Sequence, residues 1–215
     1  MRVNENVDAV YFSRIGRLSQ AKYHHGHLKE ALIRAGLDIL REEGLDALSL
    51  RACAARAGVS HGAPKNHFAT LAVLQAAIVT EGFRLFAETM RKHLADADKK
   101  PQAQVLAVAE GYVAFAVANP DLFRLMFSME RNIEIYPDLL PASKEAYAVL
   151  REVCDHLSAD NCADPVHRTS TETMLWSFVH GYASLKANRQ FYTANRETGA
   201  DPELSNIFPS LHYVG

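Results

Sequence analysis

Long apolar runs are missing from this 215-residue chain. The longest, Val105 to Val117, is broken by Glu110 and Gly111 and falls short of the ~20 residues that a bilayer-crossing helix needs. A membrane span is therefore not expected. Cysteine is scarce: Cys53, Cys154 and Cys162 are an odd set without zinc-type spacing, which speaks against a disulfide framework or a structural metal and for reduced, buried thiols. Also missing are a His-Glu-x-x-His metal pair, paired Glu-x-x-His motifs, a phosphate-cradling glycine loop and a nucleophile elbow. No enzymatic activity, cofactor or metal is expected. Residues 1–21 mix Asn4, Glu5, Asp8 and Arg14 with no apolar stretch of the secretory type, so the expected location is the cytoplasm.

Period-2 strand runs between turn signals are absent as well, and what remains is helical patterning in a chain with 48% apolar residues, enough for a filled core. The expected fold class is all-α, with about nine helices. From Leu28 to Leu40, apolar residues at 28, 32, 35 and 39 follow the spacing of a helix with one buried face, and Gly44 ends it. Ser49 caps a short helix to about Ala57, Gly58 supplies a left-handed turn, and Ser60 caps the next helix. A long helix from Thr70 to Leu94 follows. Later starts fall at Pro101, Asn119-Pro120, Pro141, Asp164-Pro165 and Asp201-Pro202, because a polar cap with proline at the first helical position presets the backbone. Thr169 with Glu172 is an alternative capping box for the Pro165 helix.

The net charge of -2 conceals an uneven distribution. Between Arg14 and Phe68 nine Lys/Arg face five Asp/Glu, so this stretch carries +4 and the rest -6. Such a split suits a phosphate-facing head on an acidic body, although solvated faces also produce it.

The sharpest motif is Leu50-Arg-Ala-Cys-Ala-Ala-Arg-Ala-Gly-Val-Ser60-His-Gly-Ala-Pro-Lys-Asn-His-Phe68, two short segments meeting at a glycine. Ala54 and Ala57 are small where two helices approach, Gly58 turns the chain, Val59 plugs the corner and Phe68 anchors the second segment. In a helix-turn-helix the second helix enters the major groove and the first crosses the backbone. Ser49, Arg51 and His67 are then candidate phosphate contacts. Ser60, His61, Gly62, Ala63, Lys65 and Asn66 lie at the groove, with Asn66 able to pair with adenine. Arg14, Arg17 and Lys22 are read as a flexible basic arm, with a plain tail as the alternative. Pro64, four residues past Ser60, lacks an amide and points to an irregular helix start.

This head resembles the TetR family of transcriptional regulators in Tyr23-His-His-Gly-His-Leu-Lys-Glu-Ala-Leu-Ile, Gly58-Val-Ser, His61-Gly-Ala-Pro and Asn66-His-Phe. Asn119-Pro-Asp-Leu-Phe-Arg-Leu-Met-Phe127 and Trp176-Ser-Phe-Val-His-Gly181 resemble the C-terminal domain type named for its Trp-His-Gly signature. Two departures stand out: Lys65 where the family often has tyrosine, and no lysine shortly after Phe68. The histidines at 24, 25 and 27 look like a metal tract, but the resemblance puts them at the start of the first head helix. Cys154, His156, Cys162 and His167 have ligand types without tight spacing.

The resemblance implies an arm over 1–21, a helix-turn-helix domain over 22–70 and a ligand-binding and dimerisation domain over 71–215. It also implies a double-stranded DNA operator, a small-molecule effector, and a homodimer through helices of about Pro165–Arg189 and Pro202–Tyr213. Leu204, Ile207, Phe208 and Leu211 give the last helix an apolar stripe that needs a partner surface, and Pro209 interrupts it. Pocket candidates for an apolar or aromatic effector are Phe86, Met90, Tyr112, Phe115, Met126, Phe127, Trp176 and His180. His180 is either a polar anchor there or a core histidine, and Gly181 would let a helix approach closely. The expected mechanism is a repressor, nucleoid-associated when on DNA, whose ligand shifts the Thr70–Leu94 helix and so the spacing of two recognition elements. An interaction module whose head has lost DNA binding is the alternative.

Overall fold

The structure, a computed structural model, describes residues 2–19, 28–128, 137–157, 165–191 and 203–207. Among them are nine α-helices and no strand, as an all-α chain requires: α1 Arg2–Ser19, α2 Leu28–Glu42, α3 Leu50–Arg56, α4 Leu71–Ala95, α5 Pro101–Ala118, α6 Pro120–Ser128, α7 Leu139–Leu157, α8 Pro165–Ala187 and α9 Leu204–Ile207. Two short 3-10 segments, Leu45–Ala47 and Ala63–Asn66, flank α3. No single helix among the described residues is long and apolar enough to cross a membrane.

Local chemistry sets most boundaries. Ser49 is extended (φ -150°, ψ 157°) and its hydroxyl oxygen accepts the Ala52 amide at 3.1 Å, satisfying one of the open donors of α3. At the other end the Val59 amide reaches the Ala54 carbonyl at 3.0 Å and the Gly58 amide that of Ala55 at 3.1 Å. This double closure places Gly58 at φ 70°, where any side chain is strained. Helices α5, α6 and α8 begin at Pro101, Pro120 and Pro165 as their caps indicate, whereas α7 begins at Leu139, ahead of Pro141. The Thr169–Glu172 capping box is not used: Thr169 lies within α8, where its carbonyl accepts the Thr173 hydroxyl at 2.7 Å.

Two expectations change. Residues 2–19, read as a flexible arm, form α1, because Val7, Val10, Tyr11 and Ile15 recur at helical spacing and are buried to 3–9% exposure. The segment after Ser60, read as a helix capped by that residue, is a turn followed by 3-10 helix, and its N-cap is Gly62. Pro64 has no amide to give the Ser60 carbonyl, which instead accepts the Ala63 amide at 3.0 Å.

The chain forms two compact units, Met1–Phe86 with Asn119–Ala146, and Ala87–Ala118 with Tyr147–Gly215. The division expected at residue 70 differs from this, since α6 and the first half of α4 pack with the head. In the first unit Leu32, Leu37, Ile39, Phe68, Leu74 and Ile78 are almost fully buried, and sealing Phe68 alone contributes roughly 2–3 kcal/mol. Helices α2 and α4 touch so closely that a Cβ on Gly36 would lie 2.3 Å from Ile78 Cδ1. On the far side of α4, a Cβ on Gly82 would meet Met126 Sδ of α6 at 2.9 Å. In the second unit α5 packs on α8 and α9, and a Cβ on Gly111 would fall 2.9 Å from the Met90 Cα.

Candidate nucleic-acid interface and ligand-binding residues

The corner built by α3, Gly58 and the 3-10 segment sorts its side chains by direction. Cys53, Ala54, Pro64 and Phe68 turn inward. Arg51, Ser60, His61, Gly62, Lys65, Asn66 and His67 are exposed, and Ser49 and Ala63 are half-buried. All nine residues assigned to DNA from the sequence thus lie on one continuous stretch around the corner, and most of them are open to solvent. Gly62 has no heavy atom within 4 Å of the place a Cβ would take.

Many basic residues of the head are engaged within the protein. Arg56 bonds Glu42 at 2.6 Å and Glu43 at 2.5 Å, tying α3 to the end of α2. Arg41 pairs with Asp8 and stacks over the Tyr11 ring at 4.5 Å. Arg14 bonds Glu81 at 2.8 Å, which removes it from the basic arm assigned to it. Arg17, Lys22 and the histidines 24, 25 and 27 lie outside the residues whose side chains are described. Lys29, Arg51 and Lys65 make no ion pair among the described residues. Sequence reasoning missed Lys29: it and His67 line one cleft of about 360 Å³, with Ile33, Phe68 and Val73 as its apolar floor. Periodicity marks Lys29 only as the solvent side of α2, so nothing local pairs it with His67.

The eight pocket candidates fall into two groups. In the first unit Phe86, Met126 and Phe127 join Phe83 and Phe123, with Phe123 and Phe127 centroids 4.8 Å apart and Phe83 and Phe127 edge-to-face at 5.9 Å. In the second unit Met90 and Phe115 are 1% exposed, while Tyr112, Trp176 and His180 form a polar cluster. Tyr112 Oη lies 2.9 Å from His180 Nδ1. Burial raises the Tyr112 pKa, and a hydrogen bond from Trp176 partly offsets it. The phenol donates in this bond when the imidazole carries its hydrogen on Nε2, and the imidazole donates when it carries it on Nδ1. Burial lowers the His180 pKa.

Glu172, Trp176 and His180 recur every four residues along α8, so this cluster continues one turn further. Tyr147 of α7 donates to Glu172 Oε2 at 2.9 Å and stacks edge-to-face on Trp176 at 5.7 Å. Burial first, then the Glu172 carboxylate, push the Tyr147 phenol up to about 12. Glu172 was missed as a buried partner because its spacing to Thr169 mimics a capping box. Gly181 is exposed and has no atom within 4 Å of a would-be Cβ, so no helix of the same unit approaches it there. Cys53 and Cys154 are buried free thiols; Cys162 and the side chains of His156 and His167 lie outside the described residues. No group of three or more metal-ligand side chains occurs among the described residues.

Residues 105–205 match the family model described as Tetracyclin repressor-like, C-terminal domain. A Rhodococcus sp. RHA1 protein of unknown function is similar in structure, with a TM-score of 0.70 and 25% identity over 89% of this chain and 95% of its own. A TetR-like transcriptional regulator from the same organism gives 0.55 and 15% identity over 88% and 94%. FadR of Bacillus subtilis, a transcriptional regulator solved with stearoyl-CoA, gives 0.58 and 14% over 75% and 89%. No curated protein matches the sequence. The chain has the fold of TetR-like transcriptional regulators.

Proposed function

We propose that this protein is a ligand-responsive, DNA-binding repressor that acts as a homodimer. The observation that carries the reading is the exposed edge of the helix-turn-helix, where Arg51, His61, Lys65, Asn66 and His67 point outward from a corner anchored by Phe68, 1% exposed. The N-terminal end of α3, with Ser49 and Arg51, suits a phosphate oxygen. Lys29 beside His67 offers a second backbone contact. Lys65 and Asn66 have the donors and acceptors to read guanine or adenine edges. An irregular recognition segment needs only a few such side chains to reach the groove floor.

Dimerisation is supported by the outward face of α8, where Met174 and Leu185 are 41% and 40% exposed and Phe178 and Gly181 lie between them on the same stripe. Apolar side chains at intervals of four, three and four beside a bare glycine fit a second copy of the helix packed close. In the last helix, Leu204 is buried, while Phe208, Pro209 and Leu211 lie outside the described residues. The effector is a small apolar or aromatic molecule held by the C-terminal domain, a reading supported by the similar FadR, solved in complex with stearoyl-CoA. Ligand binding shifts α4 and lowers operator affinity. The test is to mix the purified protein with fragmented DNA of its source organism, recover the bound fragments at about physiological salt and sequence them. Enrichment of a short palindrome supports the reading, and a folded protein that enriches none overturns it.

A further inference from the structure

The helix that replaces the expected arm joins two elements of the first unit. Its apolar face, Val7, Val10, Tyr11 and Ile15, is buried, and polar contacts extend from both sides of that face. Toward α2, the Tyr11 hydroxyl donates to Asp38 at 3.0 Å, and Arg41 pairs with Asp8 while lying over the Tyr11 ring. Toward α4, Arg14 Nε donates to Glu81 Oε2 at 2.8 Å, and Arg84 takes the other carboxylate oxygen. The Glu81 side chain is 9% exposed and that of Arg14 18%, so this is a sheltered carboxylate between two guanidinium groups. Removing one partner of such a group costs far more than losing a surface pair.

The position of this link matters more than its strength. Helix α4 begins directly after the recognition segment, and its first half is the surface on which α2 rests at Gly36 and Ile78. Through Arg14, α1 holds α4 one turn beyond Ile78; through Tyr11 and Asp8 it holds α2. We infer that Arg14 and Glu81 are positioning residues for operator recognition: α1 is a clamp that fixes the angle between α2 and α4, and so the presentation of Lys65 and Asn66 to the groove. This rests on the DNA-binding reading above. A clamp of this kind acts on specific recognition, which needs an exact angle. It leaves the sequence-independent attraction to phosphate unchanged.

The experiment measures binding of the full-length protein to its captured palindrome and to unrelated duplex DNA over a range of salt. The proteins compared are the wild type, Arg14→Ala, Arg14→Lys, Glu81→Gln and the double variant Arg14→Ala with Glu81→Gln. Expected are a loss of about tenfold in specific affinity for Arg14→Ala, an unchanged affinity for unrelated DNA, an unchanged salt slope, and substantial recovery in Arg14→Lys. Arg14→Ala should add little in the Glu81→Gln background. If Arg14→Ala proves unstable, Arg14→Gln, which keeps the length of the side chain and part of its hydrogen bonding, takes its place. A salt slope reduced by about one unit would make Arg14 a phosphate contact and overturn the inference. So would equal effects of Arg14→Ala in both backgrounds, or an unchanged specific affinity. A wild-type protein that binds no DNA removes the functional reading together with the clamp, whereas these other outcomes remove the clamp alone.

Discussion

Tyr112 Oη and His180 Nδ1 lie 2.9 Å apart, joining α5 to α8 across 68 residues of sequence through one side-chain hydrogen bond. His180 is buried enough that its proton affinity falls below that of a free histidine. A folded-state pKa below the unfolded value means that the stability it supports is present above the ordinary histidine range and is lost as pH falls through that range toward the folded value. In Tyr112→Phe the buried ring loses this partner. We expect a loss of about 1 kcal/mol at neutral pH, and the change in that gap as pH falls from about 7 to 5 reads the donor: it narrows where the phenol donates to a neutral ring and widens where the imidazole donates. Urea unfolding at several pH values, followed through Trp176, the single tryptophan, measures this; a Tyr112→Phe protein as stable as the wild type at every pH would contradict the bond.

The neighbouring pair makes a second prediction. Tyr147→Phe takes one donor from the Glu172 carboxylate, which is 8% exposed, and should cost about 1–3 kcal/mol. Glu172→Gln keeps an acceptor for the same phenol and removes the charge, so it should cost less. Urea midpoints of the two variants, compared at equal slope, decide the order.

Glycines separate stability from recognition. At Gly111 an added Cβ meets the backbone Cα of Met90 at 2.9 Å, an atom that cannot rotate aside, and Gly111→Ala should destabilise by about 1–3 kcal/mol. At Gly62 φ is -84° and nothing lies within 4 Å, so Gly62→Ala should leave the melting temperature unchanged. If Gly62 lies against DNA, the same variant weakens operator binding several-fold. Thermal unfolding and a binding titration on one preparation of each protein test both statements.

Much of the architecture was legible in the sequence because it is determined locally. Ser49, Gly58 and the prolines at 101, 120 and 165 act on their own neighbours, and a cap or a fixed φ can be read without knowing what packs above it. The helix α1 escaped because Asn4, Glu5, Asp8 and Arg14 read as a polar tail, while the partners of its face, Asp38, Arg41 and Glu81, lie far along the chain. The form of the recognition segment followed from a residue that was noticed, Pro64, whose missing amide acts on the whole segment. For the interface, residue types were legible and their availability was not. Arg14, Arg41 and Arg56 count as positive charge in any tally, yet each is held by a carboxylate that only the fold brings near. Lys29 was overlooked because only the fold brings it to the cleft that His67 lines.

The pairing of Arg56 with Glu42 and Glu43 gives a further expectation. These contacts are largely exposed, so Arg56→Ala should change stability by less than about 1 kcal/mol. Because Arg56 is engaged at the end of α2, the salt slope of operator binding should not change. Arg51→Ala, at a side chain with no ion pair among the described residues, should lower that slope by about one.

The central claim is that the open edge of the helix-turn-helix reads DNA. Its most direct test is the equilibrium affinity of the purified protein for its captured palindrome and for unrelated duplex as salt is raised, beside a variant carrying Lys65→Ala and Asn66→Ala. Expected are a steep fall of affinity with salt for the wild type, and a variant that keeps its fold and its weak general binding but no longer prefers the palindrome. A variant that discriminates as well as the wild type, or wild-type binding indifferent to salt, would contradict it.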